Sequence, residues 1–239
     1  MSEQSEIPRR LIRAEQVLAA RTRRVCLVLE SSQDPHNVHA VLRTAEAFGV
    51  QDVHVVSPRG EAAAISPGVT QRAHEWLTVR RHRDIDSAVA AVREEGREVW
   101  ATAIADDARS LGGLVPKGPV AVILGNESDG ISPRARELAD VLVRIDLVGF
   151  SGSLNLSVAA AIVLWELRRT ELGGSEPGNL SADERQDLRT RWYPPLLSRK
   201  LDDPLVTEWL ARGEEVHRTA QDTPRSVAPE RSPSGDAPR

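Results

Sequence analysis

Two spacings of apolar residues alternate along the chain. RVCLVLE, Arg24 to Glu30, is an unbroken β-branched and apolar run of the length of a buried strand. VHAVLRTAEAFGV then places apolar residues three and four apart and ends at Gly49, the pattern of a helix with a glycine stop. DVHVVSP reads as the next strand and LTVRRH as a weaker one, followed by a helix that Asp84 caps and that runs to about Glu95. EVWATAI, VAVILG and VLVRIDL are three further strands. Strands alternating with helices predict an α/β fold with a parallel sheet flanked by helices. From about Leu154 to Leu172 a long helix is apolar over most of its circumference, so it is expected to be sandwiched against the sheet or against a partner subunit. SADE, Ser181 to Glu184, is a capping box that starts another helix, and RWYPPLLSRK is expected to interrupt it. Asp203 to about Thr219 forms a last amphipathic segment, and the Pro- and Ser-rich stretch from Gln221 onward is expected to be disordered.

Composition changes this picture little. With 40% hydrophobic and 28% charged positions in 239 residues, the chain is an ordinary soluble globular protein. No run approaches the ~18 apolar residues of a membrane span. The N-terminus lacks the apolar core of a signal peptide. Cys26 is the single cysteine, so no internal disulfide is expected, and the compartment reads as cytoplasmic. A net charge of -4 argues against a generally basic nucleic-acid binder, but charge is unevenly spread. Arg9, Arg10, Arg13, Arg21, Arg23 and Arg24 stand against Glu15 alone, either as a solvated helix face or as an arm that grips phosphates. Aromatics at 3% make a base-stacking platform a poor fit. His36 and His39 are close, yet no cysteine or carboxylate accompanies them at ligand spacing, so no metal site is expected.

Candidate chemistry sits in three stretches, each at the carboxyl end of a strand, where open α/β sheets bind ligands. In PHNVHAVLRTAEAFG, Asn37 stands where a helix N-cap belongs, and Arg43 follows among Val41, Leu42 and Ala45. In VILGNESDGIS, Gly125 and Gly130 bracket Glu127 without a Walker lysine or a dinucleotide fingerprint. In GFSGSLNLSVAAA, Ser151, Ser153, Asn155 and Ser157 precede an apolar helix, more polar groups than a cap requires.

Taken in order, NVHAVLRTAEAFGV, VILGNESDGIS and IDLVGFSGSLNLSVAAAIVLWE resemble the three motifs of the SpoU class of SPOUT methyltransferases. The resemblance spans about Arg24 to Leu172, and RWYPPLL resembles the C-terminal extension of the TrmH-type tRNA enzymes. It implies a C-terminal trefoil knot, which topology rules would not have suggested. It also implies S-adenosyl-L-methionine as methyl donor, a homodimer, and methylation of a ribose 2'-hydroxyl of RNA. Thr102, Leu124, Gly125, Asn126, Ile145 and Leu154 match the donor-holding positions. Arg43, Asn37, Glu127, Ser153 and Asn155 match the catalytic ones, with Ser153 and Asn155 between donor and ribose. A guanidinium keeps its proton up to a pKa above ~12, so the easier role for Arg43 is to bind the adjacent phosphate and stabilise the developing alkoxide. Glu127 and Asn37 are expected to fix that guanidinium. Asp146 and Leu147 depart from the family, in which many relatives carry a proline-containing segment there.

These readings divide the chain into a basic N-terminal helix at 1–23, with Arg9, Arg10 and Arg13 facing RNA; a methyltransferase domain at 24–172; a helical extension at 173–219; and a tail at 220–239. The expected function is tRNA 2'-O-ribose methylation at the D-loop guanosine, guanosine-18. The alternatives are ribosomal RNA or another tRNA ribose as substrate, or a non-catalytic RNA-binding knotted dimer.

Overall fold

A computed structural model describes residues 6–30, 35–57, 73–126, 129–172 and 178–224. It divides into two compact units, one from Ala19 to Ser181 and one that joins the chain up to Leu18 to the chain from Ala182. The basic N-terminal helix and the C-terminal extension, expected as separate pieces, thus belong to one body.

The larger unit is built on seven strands: β1 (Val25–Glu30), β2 (Asp52–Val56), β3 (Thr78–His82), β4 (Glu98–Thr102), β5 (Arg109–Ser110), β6 (Val120–Leu124) and β7 (Val141–Arg144). They form one sheet in the order β3-β2-β1-β6-β4-β7-β5, with every pairing parallel. Six of the strands are those expected; β5 is too short to carry a period and went unread. The central strands are buried on both faces, which is why their sequences run apolar without alternation.

Alternate residues of β1 still separate two cores. Val25, Leu27 and Leu29 pack with α2 (Pro35–Ala47) and α5 (Leu156–Leu172), while Cys26 and Val28 pack with α3 (Ile85–Glu94) and α4 (Pro133–Leu138). Burial pushes the Cys26 thiol up to about 12, so it is an inert core residue. α3 starts as expected, with the Asp84 carboxylate accepting from the Ser87 N–H at 2.8 Å.

The smaller unit contains α1 (Arg9–Leu18), α6 (Ala182–Leu197), α7 (Pro204–Ala211) and α8 (Gly213–Asp222). α6 corrects the expected break at RWYPPLLSRK, because it continues through Pro194 and Pro195. Both prolines fall in its last turn, where few backbone bonds remain to be lost, and Trp192, Tyr193 and Pro194 are buried there. The helix stops at Ser198 (φ 55°), with bonds from Ser198 N to Pro195 O and from Arg199 N to Pro194 O. The last segment is two helices rather than one, and α8 extends three residues past the expected end at Thr219.

Glu15, the lone acid of the basic run, is fully buried at the centre of this unit. It accepts from Arg189 Nε and Nη2, both at 2.9 Å, and from the Tyr193 hydroxyl at 2.7 Å, and it lies 2.9 Å from His217 Nδ1. Such a carboxylate is tolerated inside only because it is paired and saturated. Arg9, Arg10 and Arg13 are exposed on α1, whereas Arg21 is fully buried in the larger unit. The run is therefore not one surface. No helix of the described residues is long and apolar enough to cross a membrane, and none of their side-chain clusters has three metal-ligating groups.

His54 and His82 pair across β2 and β3 with ring planes within 3° of parallel and with Nδ1 and Nε2 2.9 Å apart. Burial, then the neighbouring His82, Arg80 and Arg97, lowers the fully buried His54 to about 3. An unfolded histidine titrates near 6.5, so between these values the unfolded chain binds the additional proton and stability falls as pH falls. Thermal melts from about pH 7 to about pH 4 should show this loss at up to ~1.4 kcal/mol per pH unit for this group. His54→Gln should flatten the slope; an unchanged slope would assign the loss to other groups.

Candidate active site at the carboxyl edge of the sheet

Because all pairings are parallel, the strands release their following segments along one edge. The first candidate helix, α2, begins at Pro35, which has no N–H to lose in a first turn. Asn37 is therefore the third residue of the helix and not its cap, a correction of the expected position. Its side chain serves a partner outside the helix instead.

Arg43 is exposed on α2 and has no hydrogen bond or ion pair with any described residue. The expected bond from Asn37 to its guanidinium is not formed. The far end of α2, by contrast, is held by two buried arginines, Arg21 and Arg168. Arg21 donates to Val50 O at 2.9 Å and pairs with Glu46 at 2.9 Å. Arg168 donates to Phe48 O and Ala20 O, both at 3.0 Å. These guanidinium groups satisfy carbonyls at and beyond the helix end, which would otherwise be buried without donors. Gly49 (φ 72°) makes the approach possible, since a β-carbon there would lie 2.8 Å from Ala20 O.

Asn155 answers why the polar stretch before α5 carries so many small side chains. Its Oδ1 accepts from the Ser157 N–H at 2.9 Å and from the Ser157 hydroxyl at 2.6 Å, so Asn155 is the cap of α5. That commitment of the oxygen turns Nδ2 outward, where it donates to Asn37 Oδ1 at 3.1 Å. The first and third motifs, separated by 118 positions, meet in this bond. Ser151 and Ser153 are exposed and bonded to no described residue, so two of the four polar groups do structural work and two face solvent.

The donor-matching residues come from three adjacent strands. Thr102 ends β4 and donates to Ile123 O at 3.2 Å, Leu124 ends β6, and Ile145 follows β7. After Leu124 the chain closes on itself, with reciprocal 3.1 Å backbone bonds between Asn126 and Gly130. Gly125 is compulsory for this closure, because a β-carbon would lie 2.0 Å from the Gly130 carbonyl. Glu127 lies outside the described residues. Ile145 and Leu154 are half-buried apolar side chains, and the backbone between them makes no backbone hydrogen bond to a described residue. Half-buried apolar groups beside unpaired backbone donors and acceptors suit a ligand gripped largely through the main chain. They fit S-adenosylmethionine without a metal or a phosphate cradle.

Asp146, in the departing segment, is fastened by the Ser110 hydroxyl and by Arg144 Nε at 2.9 Å. The Ser110 bond first, and Arg144 second, hold its carboxyl below the usual carboxylate range.

Residues 24–165 match the model of the SpoU rRNA Methylase family. The chain belongs to the SpoU methylase family. It is 38% identical to the tRNA (guanosine(18)-2'-O)-methyltransferase of Thermus thermophilus over 213 residues, 89% of this chain and all of that protein. It is 35% identical to the enzyme of the same name from Escherichia coli, over 80% of this chain and 85% of that one. The crystal structure of the Aquifex aeolicus TrmH/SpoU tRNA modifying enzyme superposes with a TM-score of 0.70 at 29% identity, covering 77% of this SpoU-family chain and 95% of that one. The two relatives span both units described above, whereas the family model spans only the larger one.

Asn155→Asp keeps the capping oxygen and removes the donor to Asn37. It should leave the thermal midpoint within the range of about 0.5 kcal/mol typical of a retained cap, while methyl transfer falls tenfold or more. Loss of stability in proportion to activity would reduce Asn155 to a cap.

Proposed function

We propose that this protein is a tRNA (guanosine-18) 2'-O-methyltransferase. The observation that carries this reading is the Asn155–Asn37 bond, which joins two motifs beside the donor-matching residue Leu154. The relatives aligned along most of the chain bear the same activity in their names. S-adenosylmethionine is the donor and supplies an electrophilic methyl group from its sulfonium. Thr102, Leu124, Gly125, Asn126, Ile145 and Leu154 hold it, and the chain here forms a trefoil knot.

Arg43 is the catalytic cation. An exposed guanidinium with no ion-pair partner among the described residues keeps its full charge for an incoming phosphate. Beside that phosphate it stabilises the negative charge that builds on the ribose O2' as the proton leaves. It does not take the proton, which passes to the phosphate or to water, because arginine remains charged at neutral pH. Asn155 and Ser153 line the pocket between donor and ribose, Asn37 holds Asn155 there, and Glu127 belongs to the catalytic set by its motif match. Arg9, Arg10 and Arg13, exposed on α1, bind tRNA phosphates in the cytoplasm.

The working form is a homodimer. α5 exposes Val158 and Trp165, seven residues apart and so on one face, and the preceding segment exposes Val148 and Phe150 completely. Large apolar side chains left exposed in this way are what a symmetric partner covers.

With S-adenosylmethionine and unmodified tRNA transcripts, the protein should form 2'-O-methylguanosine at one D-loop position, located by nuclease digestion and mass spectrometry. Arg43→Ala should abolish transfer while donor affinity stays within about twofold, the mark of lost transition-state rather than ground-state binding. Product on ribosomal RNA alone would replace the substrate, and an equal loss of donor affinity would refute the role of Arg43. For the dimer, Val158→Glu with Trp165→Glu should halve the mass measured by light scattering. An unchanged mass would place the interface elsewhere.

A further inference from the structure

Glu30 ends β1 and is 4% exposed, an uncommon place for a carboxylate. The adjacent register pair is Leu29 with Leu124, so Glu30 stands one residue beyond it, level with Gly125. Both carboxylate oxygens are used on one residue. Glu30 Oε2 accepts the Ser132 N–H at 2.8 Å and Oε1 accepts the Ser132 hydroxyl at 2.6 Å. The Ser132 oxygen in turn accepts the Ala135 N–H at 3.0 Å as the cap of α4.

We propose that Glu30 is a positioning residue for the methyl donor, acting through Ser132. The inference rests on the methyltransferase reading above. Ser132 is where the chain re-enters the fold after closing on Gly125. Gly130 is bonded to Asn126, and Gly130 and Ile131 press on Gly125 so closely that no β-carbon fits. Fixing Ser132 therefore fixes Gly130 and Ile131, and these fix the backbone of Gly125 and Asn126 that the donor must meet. Only a carboxylate can serve, because Ser132 offers two protons and a carboxylate offers two acceptors. A carboxamide at this position would turn its NH2 toward one of those donors. Bonds to a carboxylate are stronger than bonds between neutral groups and rigidify what they hold. Neither the length of the run VCLVLE nor its apolar character announces this, since Glu30 reads as the polar end of a strand.

The test measures S-adenosylmethionine affinity of the RNA-free protein by calorimetry, together with steady-state kinetics and the thermal midpoint. Glu30→Gln should weaken donor affinity tenfold or more and raise the donor KM by the same factor, with the tRNA KM within twofold. Glu30→Asp, which keeps both acceptors, should recover part of the loss. Ser132→Ala should weaken donor binding less, and adding it to Glu30→Gln should cost little more than Glu30→Gln alone, since the two act as one unit. Val92→Ala, on the buried face of α3, provides a control of comparable thermal destabilisation that leaves the Glu30 and Ser132 bonds in place. Donor affinity in Glu30→Gln equal to that of the unaltered chain, or to that of this control, overturns the proposal alone. No donor binding by the unaltered chain overturns the functional reading and the proposal together. Should Glu30→Gln fail to fold, Ser132→Ala carries the same comparison against the control.

Discussion

The carboxamide of Asn155 can do two things only because it has two ends. Its oxygen is claimed by the start of α5, where unpaired N–H groups demand an acceptor. Its nitrogen is thereby left facing α2 and meets Asn37. The need to satisfy a helix terminus thus sets the orientation of a group in the candidate site, and α5 and α2 are joined at their amino ends. Packing of the two helices on one face of the sheet keeps this bond in place, through Val38, Val41, Leu42, Ala160, Val163 and Leu164.

The same economy recurs around the site. Arg21 and Arg168 satisfy carbonyls at and just beyond the end of α2, so its position is determined from both ends while Arg43 stays exposed between them. Ser132 caps α4 and anchors to Glu30 with one hydroxyl. Asp146, just after β7, is fastened to Ser110 and Arg144. Where burial or a helix end obliges a polar group to find a partner, that partner also fixes a segment: the end of α2 through Arg21 and Arg168, and the start of α4 through Ser132 and Glu30. The exposed groups, Arg43 and Ser153 among them, are those with no such obligation, and they remain available to a ligand.

Much of the fold was legible because a strand buried on both faces and a helix buried on one stripe leave different periods in the sequence. β1, β2, β4, β6 and β7 and the helices α2, α3 and α5 follow from that alone. α6 was misread as interrupted because prolines forbid a helix interior but not its last turn, and position within a helix is not visible before its end is known. Asn37 was misread as a cap for a related reason, since Pro35 starts the helix earlier. The candidate site was legible as three motifs in order, not as an arrangement.

The sequence by itself determined the alternation of strands and helices, the family and the residue types available for chemistry, because these depend on local periodicity and on the order of short motifs. Only the tertiary structure decided which of the similar polar residues are committed. Six arginines within sixteen residues look alike in sequence, yet Arg21 is buried beneath α2 while Arg9, Arg10 and Arg13 face solvent. Glu15 and Glu30 look like ordinary acids, yet one saturates the centre of a helical unit and the other pins a loop across 102 positions. Such assignments depend on which unpaired group lies opposite, and that is set by distant parts of the chain brought within about 3 Å.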